Sequence, residues 1–110
     1  MTPTQATPAS STTDIEVNGY TYQGCFQDGV DRALPDAERT TDALTNRQCA
    51  SFCSRFRYFG TEYGSQCYCG NDLAYKKPAD PWQCATHCGG AEEGAENCGG
   101  FFYLSVWKKD

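Results

Sequence analysis

The chain is predicted to be a small disulfide-rich α+β domain, with one main helix over about 46–57 and a short second helix packed on a small antiparallel sheet. Three observations predict it. Eight cysteines occur in 110 residues, an even number at a density that implies a disulfide framework formed in an oxidising compartment. Cys49 and Cys53 stand four apart in a segment of helical periodicity, and Cys67 and Cys69 stand two apart in an alternating segment. Each pair therefore shares one face of its element. Aromatic and polar residues alternate in YTYQGCF (20–26) and again from Phe101 to Trp107, the period-two pattern of strands with one half-buried face.

Taken in order, residues 1–18 read as a disordered linker from another domain. Thr, Ser and Pro dominate residues 2–13; such a tract cannot bury enough apolar surface to fold, and its composition is that of O-glycosylated stalks. The first 19 residues hold no apolar run of the length that a signal peptide or membrane span needs. No Asn-x-Ser/Thr acceptor occurs. The folded domain is expected over 19–110, and a part of about 90 residues buries only roughly 60 to 70% of its unfolded surface, so it needs covalent staples.

Tyr20 to Phe26 is the first expected strand. Residues 27–44, rich in Asp, Gly, Pro and Thr, read as an irregular loop with Leu34 and Arg32 folded against the domain. Thr45-Asn46-Arg47-Gln48 has the form of a capping box and starts the helix. Behind it Cys49, Phe52, Cys53 and Phe56 recur at i, i+3, i+4 and i+7, which predicts that both cysteines and both rings face the core. Thr61–Tyr63 and Gln66–Gly70 read as short strands around a turn at Gly64-Ser65. A helix lying across the sheet brings Cys49 and Cys53 within disulfide reach of Cys67 and Cys69, and Tyr68 then points to the opposite face. Asp80-Pro81-Trp82-Gln83 repeats the helix-start chemistry for a short second helix, and Phe101 to Trp107 is a last strand partnering the first.

The folded part resembles the WSC domain. The resemblance rests on GCFQD at 24–28, Arg32 and Leu34, CASFC at 49–53, GTEYGSQCYCGN at 60–71, CATHC at 84–88 and CGGFFYLSVW at 98–107. It implies a fold similar to the PAN/apple type and the pairing Cys25 with Cys84, Cys49 with Cys67, Cys53 with Cys69 and Cys88 with Cys98. It also implies a non-catalytic, secreted or cell-surface module of a fungal type that holds an attached enzyme or sensor on wall polysaccharide such as β-glucan, xylan, chitin or mannan. The same family breadth, which includes a class of animal receptor, implies an alternative as a protein-interaction or self-association module.

Residue by residue, other chemistries find little support. The cysteines lack paired C-x2-C knuckles, which argues against zinc, and the exposed Cys-x-x-Cys of redox catalysis is absent. His87 reads as a surface histidine, and Glu92, Glu93 and Glu96 as a solvated acidic loop. Glu62 reads as a structural acceptor, because glycoside hydrolysis needs two carboxylates. No cofactor is expected. The net charge of -5, with Lys and Arg scattered, argues against nucleic acid, anionic lipid and anionic polymers as partners and favours neutral polysaccharide bound by a monomer. Tyr and Trp join an apolar face to a polar tip, which suits a platform that stacks on sugar C–H faces. Tyr63, Tyr68, Tyr75 and Trp82, with Asn71 and Gln66 near them in sequence, are the candidate binding residues.

Overall fold

A computed structural model describes residues 15–92 and 94–110; most of the expected linker, and Glu93 of the acidic loop, lie outside the described residues. The strands are β1 (Glu16–Val17), β2 (Tyr20–Gln27), β3 (Ala37–Thr40), β4 (Tyr58–Glu62), β5 (Gln66–Gly70) and β6 (Tyr103–Lys109), with a helix α1 (Asn46–Phe52) and a 3-10 turn (Pro81–Cys84). They form one antiparallel sheet in the order β1-β2-β6-β4-β5-β3. The first long strand and the last pair over Tyr20↔Lys109 to Gln27↔Tyr103, with an irregularity between Tyr22 and Gly24. Glu16 and Val17 pair with Thr21 and Tyr20, so the sheet takes up residues read as the end of the linker. The final strand starts at Tyr103 rather than Phe101, because a turn intervenes.

The helix begins as expected: the Thr45 hydroxyl accepts from the Gln48 N–H at 3.0 Å. It ends sooner. Cys53 is its C-cap, and the Tyr20 hydroxyl reaches the carbonyls of Cys53 at 2.8 Å and Phe56 at 2.6 Å, which supplies partners for groups that a longer helix would pair internally. The buried stripe is Asn46, Cys49, Ala50 and Cys53, whereas Phe52 is 38% exposed and lies beside the Arg39 guanidinium. The expectation that Phe52 faces the core is corrected: Ala50 takes that place, because a small residue lets the helix approach the sheet.

The disulfides pair as the resemblance implied, with Cα separations of 5.8 Å for Cys25–Cys84, 5.5 Å for Cys49–Cys67, 5.4 Å for Cys53–Cys69 and 4.9 Å for Cys88–Cys98. Alternation along the strands divides the core by sheet face. Phe59, Cys67, Cys69 and Trp107 pack with Tyr20, Leu44 and α1 on one side. Tyr58, Tyr68, Leu104 and Val106 pack on the other against Ala33 and Leu34 from the β2–β3 connection. A Cβ at Gly60 would collide with Leu104 and crowd Leu34, so glycine there lets Leu34 close this second layer. Glu62 and Gln66 lie at the end of that same face.

Candidate functional site

The β4–β5 hairpin closes on the pair Glu62↔Gln66, and Tyr63 and Gly64 turn the chain with left-handed backbones, φ 52° and 78°. The tip is pinned from behind. Gly64 N–H donates to the Cys98 carbonyl at 2.9 Å, Gly89 N–H donates to the Gly64 carbonyl at 3.0 Å, and a Cβ on Gly64 would stand 2.6 Å from the His87 carbonyl oxygen. The Cys88–Cys98 loop is itself anchored by Glu96, whose Oε1 accepts from Asn46 N–H at 3.1 Å and Asn46 Nδ2 at 3.2 Å. Glu96 is therefore not merely a solvated acid; it ties the loop to the start of α1.

Beside the tip, the turn before β6 presents Phe101 and Phe102, with Phe102 also left-handed at φ 60°. The Tyr63 and Phe101 rings meet edge-on at 5.4 Å, and Phe101 meets Phe102 at 4.8 Å. Tyr63 is 52% and Phe101 66% exposed. Three non-glycine residues have positive φ among the described residues, and two of them, Tyr63 and Phe102, line one cleft with Arg32, Glu62, Gln66 and Phe101. Such conformations cost on the order of 1 to 3 kcal/mol each and collect at functional sites. The cleft holds about 60 Å³, room for roughly two waters. A space of that size admits no sugar ring; the exposed faces of Tyr63 and Phe101 stand at its rim.

Its floor is charged. Asp28 and Glu62 are both buried, and both accept from the same nitrogen, Arg32 Nη1, at 3.1 and 3.4 Å. Asp28 Oδ1 also accepts from Ala33 N–H at 2.9 Å and the Tyr75 hydroxyl at 3.2 Å. Glu62 Oε1 has no hydrogen-bond partner among the described residues. Burial, then the hydrogen bond and negative charge of neighbouring Asp28, push the Glu62 carboxyl up to about 9, against the opposing pull of Arg32 and the Phe102 amide. Burial opposes ionisation of Asp28 too, but hydrogen bonds from Glu62, Ala33, Gly29 and Arg32 together hold it below the usual carboxylate range. Near neutrality Glu62 keeps its proton and Asp28 carries the charge. The Arg32 guanidinium lies over the Tyr68 ring at 4.9 Å and near Phe102 at 5.7 Å.

This arrangement sets a pH dependence. A carboxyl raised from an ordinary 4.5 to about 9 in the fold binds a proton that the unfolded chain releases between those values. Its stabilising contribution is full below about 4.5 and is lost as pH rises to about 9, with a slope approaching about 1.4 kcal/mol per pH unit. Asp28 acts with the opposite sign and only at acid pH, where its contribution falls away as pH drops through its lowered value. Urea unfolding from pH 5 to 9 should show the parent losing stability and Glu62→Gln, which cannot titrate, losing much less. Parallel curves would assign the dependence to other groups.

Of the residues predicted from sequence, the structure brings Tyr63 and Gln66 into the cleft. Tyr68 is corrected: it is 4% exposed, covered by Arg32, and its hydroxyl donates to Gln66 Oε1 at 3.0 Å, so it supports the floor and is no open platform. Tyr75 is half-buried on the same face, its hydroxyl directed to the Asp31 carbonyl at 2.6 Å. Asn71 stands at the far end of β5, accepting from Arg57 N–H and donating its own N–H to Asp36. Trp82 is 71% exposed on the 3-10 turn, outside the cleft lining. Its outward direction follows from its neighbours, since Cys84 is bonded to Cys25 and Gln83 Nε2 donates to the Tyr103 hydroxyl at 2.8 Å. Phe101, Phe102 and Asp28 were missed; the Gly99-Gly100 pair before the phenylalanines was the available sign that they stand on a turn.

A wider hollow of about 700 Å³ lies between α1 and β3, lined by Arg39, Arg47, Gln48 and Phe52 among others. Its walls are long exposed side chains over the Cys49–Cys67 bond. The small cleft is the better candidate because buried polar groups and exposed rings converge there. The sulfurs of Cys49, Cys53 and Cys67 lie close together, but each is in a disulfide, which removes the thiolate that a metal needs.

A protein-family model described as WSC domain matches residues 22–100. A WSC domain-containing protein of Arthroderma benhamiae is 33% identical over 99 residues, covering 88% of this chain and 14% of that protein. The Xylosyltransferase sqv-6 of Caenorhabditis briggsae is 36% identical over 92 residues, covering 79% of this chain and 11% of its own length. Kremen protein 1 of Homo sapiens is 37% identical over 82 residues, covering 70% of this chain and 17% of its own. The chain thus spans less than a fifth of the length of each of these relatives, so the matched unit is one part of much larger proteins.

Proposed function

The chain belongs to the WSC domain family, and on that premise we propose that it is a non-catalytic carbohydrate-binding module of a secreted or cell-surface protein, which holds an attached enzyme or sensor on neutral wall polysaccharide. The observation that carries this reading is the pair of exposed rings, Tyr63 and Phe101, set in strained turns over a buried polar floor. Exposed rings stack on sugar C–H faces, and the polar groups beneath take the hydroxyls. Weak single-site binding suffices for such a tether, because it raises the local concentration of the attached domain. Glu62 now has a carboxyl neighbour in Asp28, but both are buried and both bond the one Arg32 nitrogen. Glycosidase carboxyls flank a scissile bond, whereas the space between these two is taken by Arg32.

Co-sedimentation with insoluble glucan, xylan, chitin and mannan tests the reading. Tyr63→Gly, which removes the ring and suits the left-handed backbone, and Phe101→Ala are each expected to lower retention several-fold with the thermal midpoint little changed. Trp82→Ala is expected to have a smaller effect, since Trp82 lies outside the cleft. If the parent is retained by none of these polymers and instead self-associates in sedimentation without them, the second reading holds, and the exposed rings of Tyr63, Phe101 and Trp82 form a protein-interaction face.

A further inference from the structure

We propose that Arg32 is the residue that reads ligand hydroxyls in this cleft, and that Glu62, which shares that one cation with Asp28, is its specificity partner and restricts the site to uncharged sugars. The inference rests on the cleft being the sugar site. Arg32 combines three properties that no other residue of the floor has. It is partly open, its side chain 28% exposed, while the carboxyl groups that hold it are 0 and 3% exposed. Only its Nη1 is engaged by those carboxyls; a guanidinium carries five N–H donors in a fixed fork, and no hydrogen bond from its Nη2 or Nε occurs among the described residues. Finally, its guanidinium lies 4.9 Å over the Tyr68 ring and 5.7 Å from the Phe102 ring, contacts that restrict the side chain and so reduce the entropy lost when a ligand binds.

Two buried carboxyl groups share that single cation, and one oxygen, Glu62 Oε1, has no hydrogen-bond partner among the described residues. Two like charges so placed cannot both ionise cheaply, so one proton remains between them. With Glu62 neutral, Arg32 and Asp28 cancel, and the floor presents donors without net charge. The groups facing Glu62 are Asp28 and Arg32 from the β2–β3 connection, Tyr68 from β5 and the Phe102 amide from the turn before β6; Tyr75 reaches Asp28 from behind. Ionisation of Glu62 would add a second negative charge under the rim, draw Arg32 down towards the carboxylates and withdraw donors from the ligand.

The test measures retention of the folded protein on the insoluble polysaccharide that retains the parent, at pH 6 to 9.5, with near-ultraviolet circular dichroism monitoring the fold. Parent retention is expected to fall about tenfold across the upper part of this range, and Glu62→Gln, a permanently neutral mimic, to bind like the parent at pH 6 and to stay flat. Arg32→Gln should lose about tenfold or more at every pH, the scale of a hydrogen bond to a charged group. Because Arg32→Gln leaves buried carboxyls unpaired, Arg32→Lys is the second variant; it keeps the charge, loses the fork and should bind several-fold more weakly while folded. If the parent binds but folded Arg32→Lys and Glu62→Gln match it at all pH values, the cluster is structural only and the proposal is overturned. If the parent binds none of the polymers, the sugar-binding reading itself has failed, and this inference with it.

Discussion

Reduction under otherwise native conditions is expected to unfold the whole domain. Two of the four bonds, Cys49–Cys67 and Cys53–Cys69, hold α1 to β5, and α1 has only seven residues, far below the length at which an isolated helix persists in water. Cys25–Cys84 ties the 3-10 turn to β2 across 59 residues, and Cys88–Cys98 holds the loop that backs the hairpin tip. Each bond contributes about 2 to 4 kcal/mol, so four together match the roughly 5 to 15 kcal/mol by which native domains are stable at all. Far-ultraviolet circular dichroism should show a cooperative melt in the oxidised protein and none in a phosphine reductant, and thiol titration of the denatured, unreduced protein should detect no thiol. A reduced protein that melts cooperatively near the oxidised midpoint would show that apolar packing alone sustains the fold.

The sequence was informative wherever a covalent or periodic constraint acted on it. Cysteines spaced by four and by two announced a helix face and a strand face, Thr45 and Gln48 marked where the helix begins, and the alternation of 20–26 located the first long strand. What could not be read there was decided by tertiary contact. Ala37–Thr40 forms β3, yet its four residues, Ala-Glu-Arg-Thr, show no apolar alternation, because an edge strand exposed along most of its length is held by its backbone ladder to β5. The site was half legible. Tyr63 and Gln66 stood in a recognisable hairpin, but Arg32, with Asp28 four residues before it, lies 30 residues from Glu62 and meets it only when the β2–β3 connection folds over the sheet. Tyr68 followed the alternation rule in pointing away from the helix; a second covering layer, invisible to a period-two pattern, is what buried it.

The same distinction between pattern and packing predicts which phenylalanine matters. Phe59→Ala is expected to destabilise the domain by about 3 to 5 kcal/mol, the cost of a large cavity in a close-packed core. Its ring is fully buried, edge-on to Tyr20 at 4.8 Å and stacked on Trp107 at 5.5 Å with 7° between planes, so its loss leaves two large aromatic partners facing a void. Phe52, although it shares a helical stripe with the cysteines, packs on one side only, and Phe52→Ala should cost about 0.5 kcal/mol, as surface substitutions do. Denaturant unfolding of the oxidised proteins measures both. An equal loss for the two would mean that α1 is rotated from the orientation that buries Ala50. β4 also permits a sharper check, because Phe59 faces the helix layer while Glu62, three residues on, belongs to the opposite face. Below its lowered midpoint, Phe59→Ala should therefore retain the parent's polysaccharide binding, just as Tyr63→Gly should retain the parent's midpoint while losing the binding.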